Sequence, residues 1–318
     1  MSESAASARH RVGVVVLNHN GRDLATRCLS SVLADAPGKL LVILVDNAST
    51  DGSVEYVRNR FPAVLVLEPG ENLGVTGGRN FGFREAVRRG CEYVLSLDND
   101  TVVEPSSIDI LANVAASDPR IAVVGPKTYM DEEGSRVLQC VGGAIDFTEN
   151  VTREMGAHEL DVGQYDTLRD VDYFPGSGFM ARAGVMEELG YLDESFYGYG
   201  HEDTDFCYRA AKRGYRIVYV PEAVMRHGGT LTMGGYSPRR KYLEAVNSVY
   251  FVRKYASLYQ RCKYAFYAGF GLIYALAIHG PRGNAKAVMA KARGIWQGMR
   301  KPIREHREQG AGPAAERS

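Results

Sequence analysis

The stretch YVLSLDNDT at residues 93–101 most constrains this chain, because an apolar run ends there in two carboxylates. Tyr93 to Leu97 is typical of a buried strand, and Asp98 and Asp100 come directly after it. Buried carboxylates are costly without a partner, and a divalent cation such as Mg²⁺ or Mn²⁺ is the simplest one. Ligands of open α/β sheets bind outside the carboxyl ends of the strands, which predicts a floor for nucleotide phosphates. The alternative is a polar turn, since Asp and Asn are common turn residues.

Three further apolar runs precede this stretch, at residues 12–17, 40–45 and 64–67, and amphipathic segments separate them. The segments are long enough to be helices that connect parallel strands. This alternation of strands and helices predicts an α/β fold with a mostly parallel central sheet flanked by helices. From Tyr129 to Asp172 the pattern weakens, which favours hairpins or a long loop.

Polar residues follow four of the predicted strands in the same sense. They are Asn18, His19 and Asn20 after the first strand, Asp46 and Asn47 after the second, Asn72 after the third, and Asp98, Asn99 and Asp100 after the fourth. The carboxyl ends of parallel strands meet at one edge of a sheet, so these residues predict a single crevice. Turn chemistry is the alternative for any one of them.

The charge of the chain is unevenly distributed, although its formal net value is zero. Residues 239–304 contain fourteen Lys or Arg and only one acid, Glu244. This balance predicts a catalytic body with a basic tail. The tail also contains the apolar run Tyr264 to Ile278, and basic faces with aromatic residues suit an anionic membrane surface. Helices packed on the catalytic body or across a homodimer are the alternative, and no nucleic-acid module is recognisable.

The cysteines and the N-terminal segment indicate the cellular compartment of the protein. Five cysteines without a CxxC pair argue against a disulfide framework and for a reducing, cytoplasmic compartment. The N-terminus lacks the apolar segment of a signal peptide, and residues 1–10 are predicted to be disordered. We place a domain boundary near Gly235, which gives a catalytic domain at 11–235 and a helical extension at 236–318.

Six motifs together resemble the family 2 glycosyltransferases, which have the GT-A fold. They are VVVLNHNG (14–21), VDNASTDGS (45–53), ENLGVTGGRNFG (71–82), LSLDND (95–100), GSGFMAR (176–182) and GYGHEDTDFCYRAAKRGYRIVYVPEAVMRHGG (198–229). Within that family the chain is most similar to bacterial enzymes of the rhamnosyltransferase type. The resemblance covers about residues 12–230, in the order of the family.

The resemblance implies a nucleotide-sugar site on the strand ends. It places Leu17 and Asn18 against the base, Asp46 on the pyrimidine ring, and Arg79 near base or phosphate. Asp98 fills the first acidic position of the DXD motif and is expected near the ribose or metal-bound water. The predicted set for the nucleotide sugar is Leu17, Asn18, Asn20, Asp46, Asn72, Arg79, Asp98, Asn99 and Gly176.

The same resemblance implies a metal site and a catalytic pair. The expected ligands of a Mg²⁺ or Mn²⁺ ion are Asp98, Asp100 and His227, although His227 could instead be an ordinary core histidine. Asp203 is the expected general base, because a positioned carboxylate can take the proton of an acceptor hydroxyl. Its neighbour Glu202 is expected to position the acceptor or the loop. Acids in the first turn of a helix are the structural alternative for this pair.

The resemblance therefore implies an inverting, metal-dependent glycosyltransferase, with dTDP-rhamnose as donor and a glycan or lipid-linked acceptor of the cell envelope. A UDP- or GDP-sugar donor and a non-catalytic sugar-nucleotide-binding scaffold are the alternatives. A nucleotidyltransferase would need a lysine in the loop after the first strand, and Asn18 to Arg22 offers none. Related chains often have Arg-Asn in the first C-terminal helix, where this chain has Val246-Asn247, which puts an acceptor role for the tail in doubt.

Overall fold

The computed structural model describes residues 11–35, 40–131, 134–148, 150–228, 237–279 and 284–304. The N-terminal segment predicted to be disordered, residues 1–10, and the predicted domain boundary near Gly235 lie outside these ranges.

Twelve strands lie within the described residues. In chain order they are β1 (Val12–Asn18), β2 (Leu41–Asp46), β3 (Leu65–Leu67), β4 (Tyr93–Asp98), β5 (Thr101–Val103), β6 (Ile121–Met130), β7 (Leu138–Cys140), β8 (Gly143–Ile145), β9 (Thr152–Glu154), β10 (Arg169–Asp170), β11 (Gly178–Arg182) and β12 (Arg216–His227). The weakly patterned region therefore contains short strands, and β8 and β9 form a separate antiparallel pair.

Nine helices lie within the same described residues. They are α1 (Arg22–Asp35), α2 (Ser53–Arg60), α3 (Gly74–Arg88), α4 (Ser107–Ser117), α5 (Ala183–Leu189), α6 (Glu202–Lys212), α7 (Pro238–Tyr255), α8 (Leu258–His279) and α9 (Ala285–Arg300). None of those that the structure describes is both long enough and apolar enough to cross a membrane.

The main sheet has the order β10-β12-β6-β11-β4-β1-β2-β3, with β5 paired to β12 and β7 to β6. Parallel pairing joins β4, β1, β2 and β3, as the sequence predicts, while β11 is antiparallel to both of its neighbours. In this register Asn18 pairs with Asp46, and Leu17 pairs with Asp98. The carboxyl ends of three strands therefore lie level at one edge of the sheet.

Alternating side chains of the buried strands pack into two cores on opposite faces of the sheet. Val14 and Val16 of β1 face one core with α1 and α4, whereas Val15 faces the other with Phe83 of α3. Helix α1 buries Ala25, Cys28, Leu29 and Val32, the spacing of one helical face. The sheet is covered on both sides, which explains why its central strands read as continuous apolar runs.

The first helix of the C-terminal extension packs on the body of the protein through a third core. Residues Val249 to Val252 of α7 are buried there with Phe196 and with Phe147. Lys254 of α7 bonds Asp193 at 2.7 Å and Asp205 at 2.9 Å, and all three side chains are largely buried. Helix α7 is therefore anchored to the segment and helix on either side of Glu202, while α8 and α9 follow it in the chain.

Candidate functional site

One cluster of possible metal ligands forms where β4, its following turn and the end of β12 meet. Oxygens of Asp98 and Asp100 and a ring nitrogen of His227 all lie within 4.8 Å of one another. His227 Nε2 lies 3.0 Å from Asp100 Oδ1 and 3.7 Å from Asp98 Oδ2. The antiparallel pairing of β12 with β5, in which His227 is opposite Thr101, brings the histidine to the acidic turn.

The negative charges of Asp98 and Asp100 favour a positive charge within this cluster. Burial opposes protonation of His227, but its bonds to Asp100 and Asp98 and their charges outweigh that effect and raise its pKa to about 9. Asp100 Oδ2 is buried and has no hydrogen-bond partner among the described residues. Two carboxylates and an imidazole, with an oxygen left over, are a donor set that Mn²⁺ or Mg²⁺ can use.

Arg79 of α3 joins this cluster to the start of α6. Its Nη2 donates to Asp98 Oδ1 at 2.7 Å, and its Nη1 donates to Glu202 Oε1 at 2.8 Å. The Arg79 and Glu202 side chains are only 4% and 6% exposed. Burial opposes ionisation of Asp98, yet the Arg79 charge and the His227 bond hold its pKa well below the usual range. Burial and the charge of Asp203 raise the pKa of Glu202, against the effect of Arg79.

Gly176, just before β11, lies between Arg79 and Asp203. Its backbone N–H donates to Asp203 Oδ2 at 2.8 Å, and its carbonyl accepts from Ser96 Oγ at 2.7 Å. A Cβ at this position would lie 2.0 Å from Arg79 Nη1, so only glycine fits beside the guanidinium. The other oxygen of Asp203, Oδ1, accepts from the backbone of Thr204 at 2.6 Å.

The polar ends of β1, β2 and β4 form a buried chain of hydrogen bonds. Asn99 Nδ2 donates to Asn18 Oδ1 at 2.8 Å, and Asn18 Nδ2 donates to Asp46 Oδ1 at 3.0 Å. Asp46 also accepts from the backbone and hydroxyl of Ser49, at 2.8 Å and 2.6 Å. The three predicted side chains thus fix one another and the loop after β2.

The remaining predicted residues lie at the rim. Asn20 is exposed, and its Oδ1 accepts from the backbone of Thr50 at 2.7 Å, while Asn72 is exposed and accepts from Gly74 N at 2.9 Å. Leu17 lies under Gly78 of α3, where an added Cβ would come within 2.6 Å of its Cδ1. Asn20 and Asn72 therefore hold loops, and Leu17 packs against the helix that carries Arg79.

Four further residues lie around the site, and none of them belongs to the predicted set of site residues. Gln139 of β7 lies 2.9 Å from His227 Nδ1 and orients the ring. Asn247 of α7 donates to the carbonyls of Tyr197 and Tyr199, at 3.2 Å and 2.9 Å, and His201 Nε2 lies 2.8 Å from Ser248 Oγ. Helix α7 therefore holds the segment that leads into Glu202 and Asp203.

Glu154, at the end of β9, is a further acid that the sequence analysis missed. Glu154 is exposed at its surface, but desolvation by neighbouring groups, followed by the charge of Asp203, raises its pKa, and Arg240 of α7 opposes that shift. The guanidinium of Arg240 lies 4.7 Å from the centre of the Tyr199 ring. The side of the cleft at Asp203 is thus bordered by the small sheet and by α7.

Comparison with known proteins identifies related sequences. The family model described as glycosyltransferase like family 2 matches residues 10–246. An N-acetylglucosaminyl-diphospho-decaprenol L-rhamnosyltransferase of Mycobacterium tuberculosis is 26% identical over 235 residues, which cover 67% of this chain and 75% of that protein. A hexosyltransferase of low-salt glycan biosynthesis from Haloferax volcanii is 25% identical over 65% of this chain, and the match spans 63% of its length. A dTDP-rhamnosyl transferase of Shigella flexneri is 23% identical, over 67% of this chain and 71% of that protein.

Two solved structures share the fold. A mannosyltransferase of Pyrobaculum calidifontis in complex with GDP-Man and Mn²⁺ has a TM-score of 0.57 and 19% identity, and covers 91% of this chain and 88% of its own. GalNAc-T7 with UDP, GalNAc and Mn²⁺ has a TM-score of 0.63 and 19% identity, over 80% of this chain and 49% of its own. The predicted GT-A fold is confirmed.

We expect Asp100→Asn to weaken Mn²⁺ binding, measured by calorimetry, by at least about tenfold, because it removes the charge of a direct donor. The exposed Asp109 of α4 provides the matched control, and Asp109→Asn should bind as the unmodified protein does. Equal affinities for all three proteins would show that this cluster is not the metal site.

A second prediction concerns the space beside Arg79. Gly176→Ala should lower the free energy of unfolding in urea by about 1–3 kcal/mol, because the new methyl group displaces the buried guanidinium. Gly178→Ala is the matched control, since its Cβ would meet Met225 Sδ at an ordinary 3.4 Å. Equal loss in both variants, or none in either, would contradict the assigned contact.

Proposed function

The chain belongs to the family described as glycosyltransferase like family 2, and from that premise we propose that it transfers a sugar from a nucleotide diphosphate donor to an acceptor hydroxyl. The observation that carries the proposal is the Arg79 bridge. It connects a carboxylate–histidine cluster suited to a cation with the acidic pair Glu202-Asp203. A metal-dependent glycosyl transfer uses a cation beside the leaving diphosphate and a base beside the acceptor hydroxyl. The cluster suits the cation, and the acidic pair offers the base.

Asp98, Asp100 and His227 are the residues that would hold a Mg²⁺ or Mn²⁺ ion. The feature of the site that supports this assignment is the Oδ2 of Asp100, which is buried and has no hydrogen-bond partner in the described part of the chain. When bound, such an ion neutralises charge on a departing diphosphate. Gln139 holds the other ring nitrogen of His227, as partners of metal-binding histidines commonly do.

Asp203 is our candidate for the general base. In a single displacement its carboxylate takes the acceptor proton as the acceptor oxygen bonds to the anomeric carbon and the nucleoside diphosphate leaves, which inverts that carbon. The backbone donors of Gly176 and Thr204 hold the carboxylate in one orientation. Glu202 accepts a hydrogen bond from Arg79 through Oε1, so we assign it a role in positioning the acceptor or the loop.

The level ends of β1, β2 and β4 provide the proposed floor for the nucleotide. We assign Leu17, Asn18 and Asp46 to the base, with Asn99 holding Asn18 in place. Asn20 and Asn72 hold the flanking loops. Arg79 and Gly176 are assigned to the phosphate and sugar side, because they lie between Asp98 and Asp203.

For the donor we propose dTDP-rhamnose, and for the acceptor a glycan or lipid-linked sugar of the cell envelope. Support comes from the Mycobacterium tuberculosis and Shigella flexneri relatives, which are named as rhamnosyltransferases. We place the reaction on the cytoplasmic side of the plasma membrane. All five cysteines are free thiols, which suits a reducing compartment.

Calorimetry with a panel of nucleotide sugars tests the function and the donor together. The panel is dTDP-rhamnose, UDP-glucose, UDP-N-acetylglucosamine and GDP-mannose, each with Mn²⁺, with Mg²⁺ and with EDTA. We expect dTDP-rhamnose to bind only when a divalent cation is present. Preference for a UDP- or GDP-sugar would replace the donor assignment, and a folded protein that binds none of them would contradict the proposed function.

Asp203→Asn should retain binding of the preferred donor but lose transfer. We expect kcat to fall by about 100-fold to 10,000-fold, the usual contribution of a positioned base. Asp109→Asn, at an exposed position on α4, is the control and should retain full turnover. Turnover of the Asp203 variant at the unmodified rate would show that another group is the base.

A further inference from the structure

Helix α8 contacts the rest of the protein through a narrow stripe of its surface. The buried residues of this stripe include Tyr264, Ala268 and Ala275, and the first two belong to the third core with α7. From Tyr264 to Ile278 the remaining surface of the helix is apolar and exposed to solvent. The large exposed side chains of this stretch are Phe266 (70%), Tyr267 (43%), Phe270 (62%), Ile273 (71%), Tyr274 (57%), Leu276 (57%) and Ile278 (36%).

This exposed surface is unusual in its size and lack of charge. Between Tyr264 and Ile278 the sequence contains no charged residue. Single exposed apolar residues are ordinary on a protein surface, whereas a contiguous set usually marks a binding surface. The 22 residues of α8 give the helix a length of about 33 Å. A partner for this exposed face must therefore offer an apolar surface along most of the length of the helix.

Helix α9 contacts α8 and has a different outer face. Gly294 and Gly298 are buried against α7, where an added Cβ would meet Tyr242 O at 2.4 Å and Val249 Cβ at 2.7 Å. The exposed residues repeat at helical spacing and combine cations with apolar groups: Lys286, Met289, Arg293, Trp296 and Arg300. The Arg300 guanidinium stacks 3.7 Å from the centre of the Trp296 ring. Among the described residues, Lys286, Arg293 and Arg300 have no carboxylate within ion-pair distance.

Charge distinguishes between the two partners that this surface could take. The only acid between residues 239 and 304 is Glu244, which already bonds Arg240 and Lys241 at 2.8 Å and 2.7 Å. Two copies of the chain that met through these helices would bring like charges together. Anionic lipid headgroups would instead be complementary to the cations, and the interface below them would accept the apolar and aromatic side chains.

We infer that α8 and α9 bind the protein to the surface of a membrane that contains anionic lipids, with the α8 face inserted among the headgroups and the α9 cations beside the lipid phosphates. Tyr267 and Tyr274 are suited to such an interface because their rings are apolar and their hydroxyl groups remain hydrated. The inference rests on the surface of these two helices and holds independently of the sugar that is transferred.

Co-sedimentation of the full chain with lipid vesicles tests this inference. One set of vesicles is phosphatidylcholine alone, and the other is phosphatidylcholine mixed with phosphatidylglycerol. We expect binding to the mixed vesicles, and weaker binding as salt is added. The double variant Phe270→Ser/Ile273→Ser should lower the partition coefficient more than about tenfold for each apolar side chain lost. Arg293→Gln/Arg300→Gln should lower it about fivefold for each charge, on the mixed vesicles only.

Val162→Ser is the matched control, because Val162 is equally exposed at 75% but lies in the loop before β10. This variant should bind vesicles as the unmodified protein does, and all variants should retain the unmodified thermal midpoint. Failure of the unmodified chain to bind mixed vesicles would overturn the inference. So would a dimer, seen by light scattering, that Phe270→Ser/Ile273→Ser dissociates while vesicle binding is unchanged, because the face would then join two copies of the chain.

Discussion

The buried guanidinium of Arg79 is the interaction on which the rest of the site depends. It forms ion pairs with Asp98 at the end of strand β4 and with Glu202 at the start of helix α6, which are about 100 residues apart in the chain. Without it, two carboxylates would lie close together in a largely dry environment, and burial would favour their neutral forms. With it, Asp98 stays ionised and free on its other oxygen for the cluster with Asp100 and His227. A single helix residue thereby keeps Asp98 charged, whereas at Glu202 it only opposes the rise in pKa that burial and Asp203 cause.

Strand register places Asp98 and Gly176 beside Arg79, whereas Glu202 begins α6 after a loop in which Gly198, Gly200 and His201 adopt left-handed backbone conformations. Parallel pairing brings the ends of β1, β2 and β4 level, and the antiparallel strand β11 brings Gly176 to the same edge from the opposite direction. Glycine at 176 is then required by space, since any side chain would meet the guanidinium. The positions of Asp98 and Gly176 are therefore a consequence of strand register.

The sequence predicted the fold and the parts of the site that lie in contiguous motifs. The run before Asp98 and Asp100 indicated a strand with acids at its end, and the family resemblance, which is confirmed, supplied the GT-A fold. Gln139, Glu154 and Asn247 contact the site in ways that could not be predicted from such motifs. Each is an ordinary polar residue in its own strand or helix, and it acquires a role only through a partner about 50 or more positions away in the chain, as Gln139 does with His227. Asn20 and Asn72 show the converse, since polar residues at strand ends can hold the loops themselves.

Helix α7 lies between the segment that leads into Asp203 and the exposed apolar face of α8. Asn247 and Ser248 hold the segment that leads into Asp203, and only the non-helical residues Ala256 and Ser257 separate α7 from α8 with its exposed apolar face. Free energy exchanged through a shared rigid element is reciprocal. Any factor by which a lipid surface on α8 alters acceptor affinity at Asp203 must equal the factor by which acceptor alters the affinity for lipid. The enzyme would then recognise its acceptor and its location as one linked equilibrium.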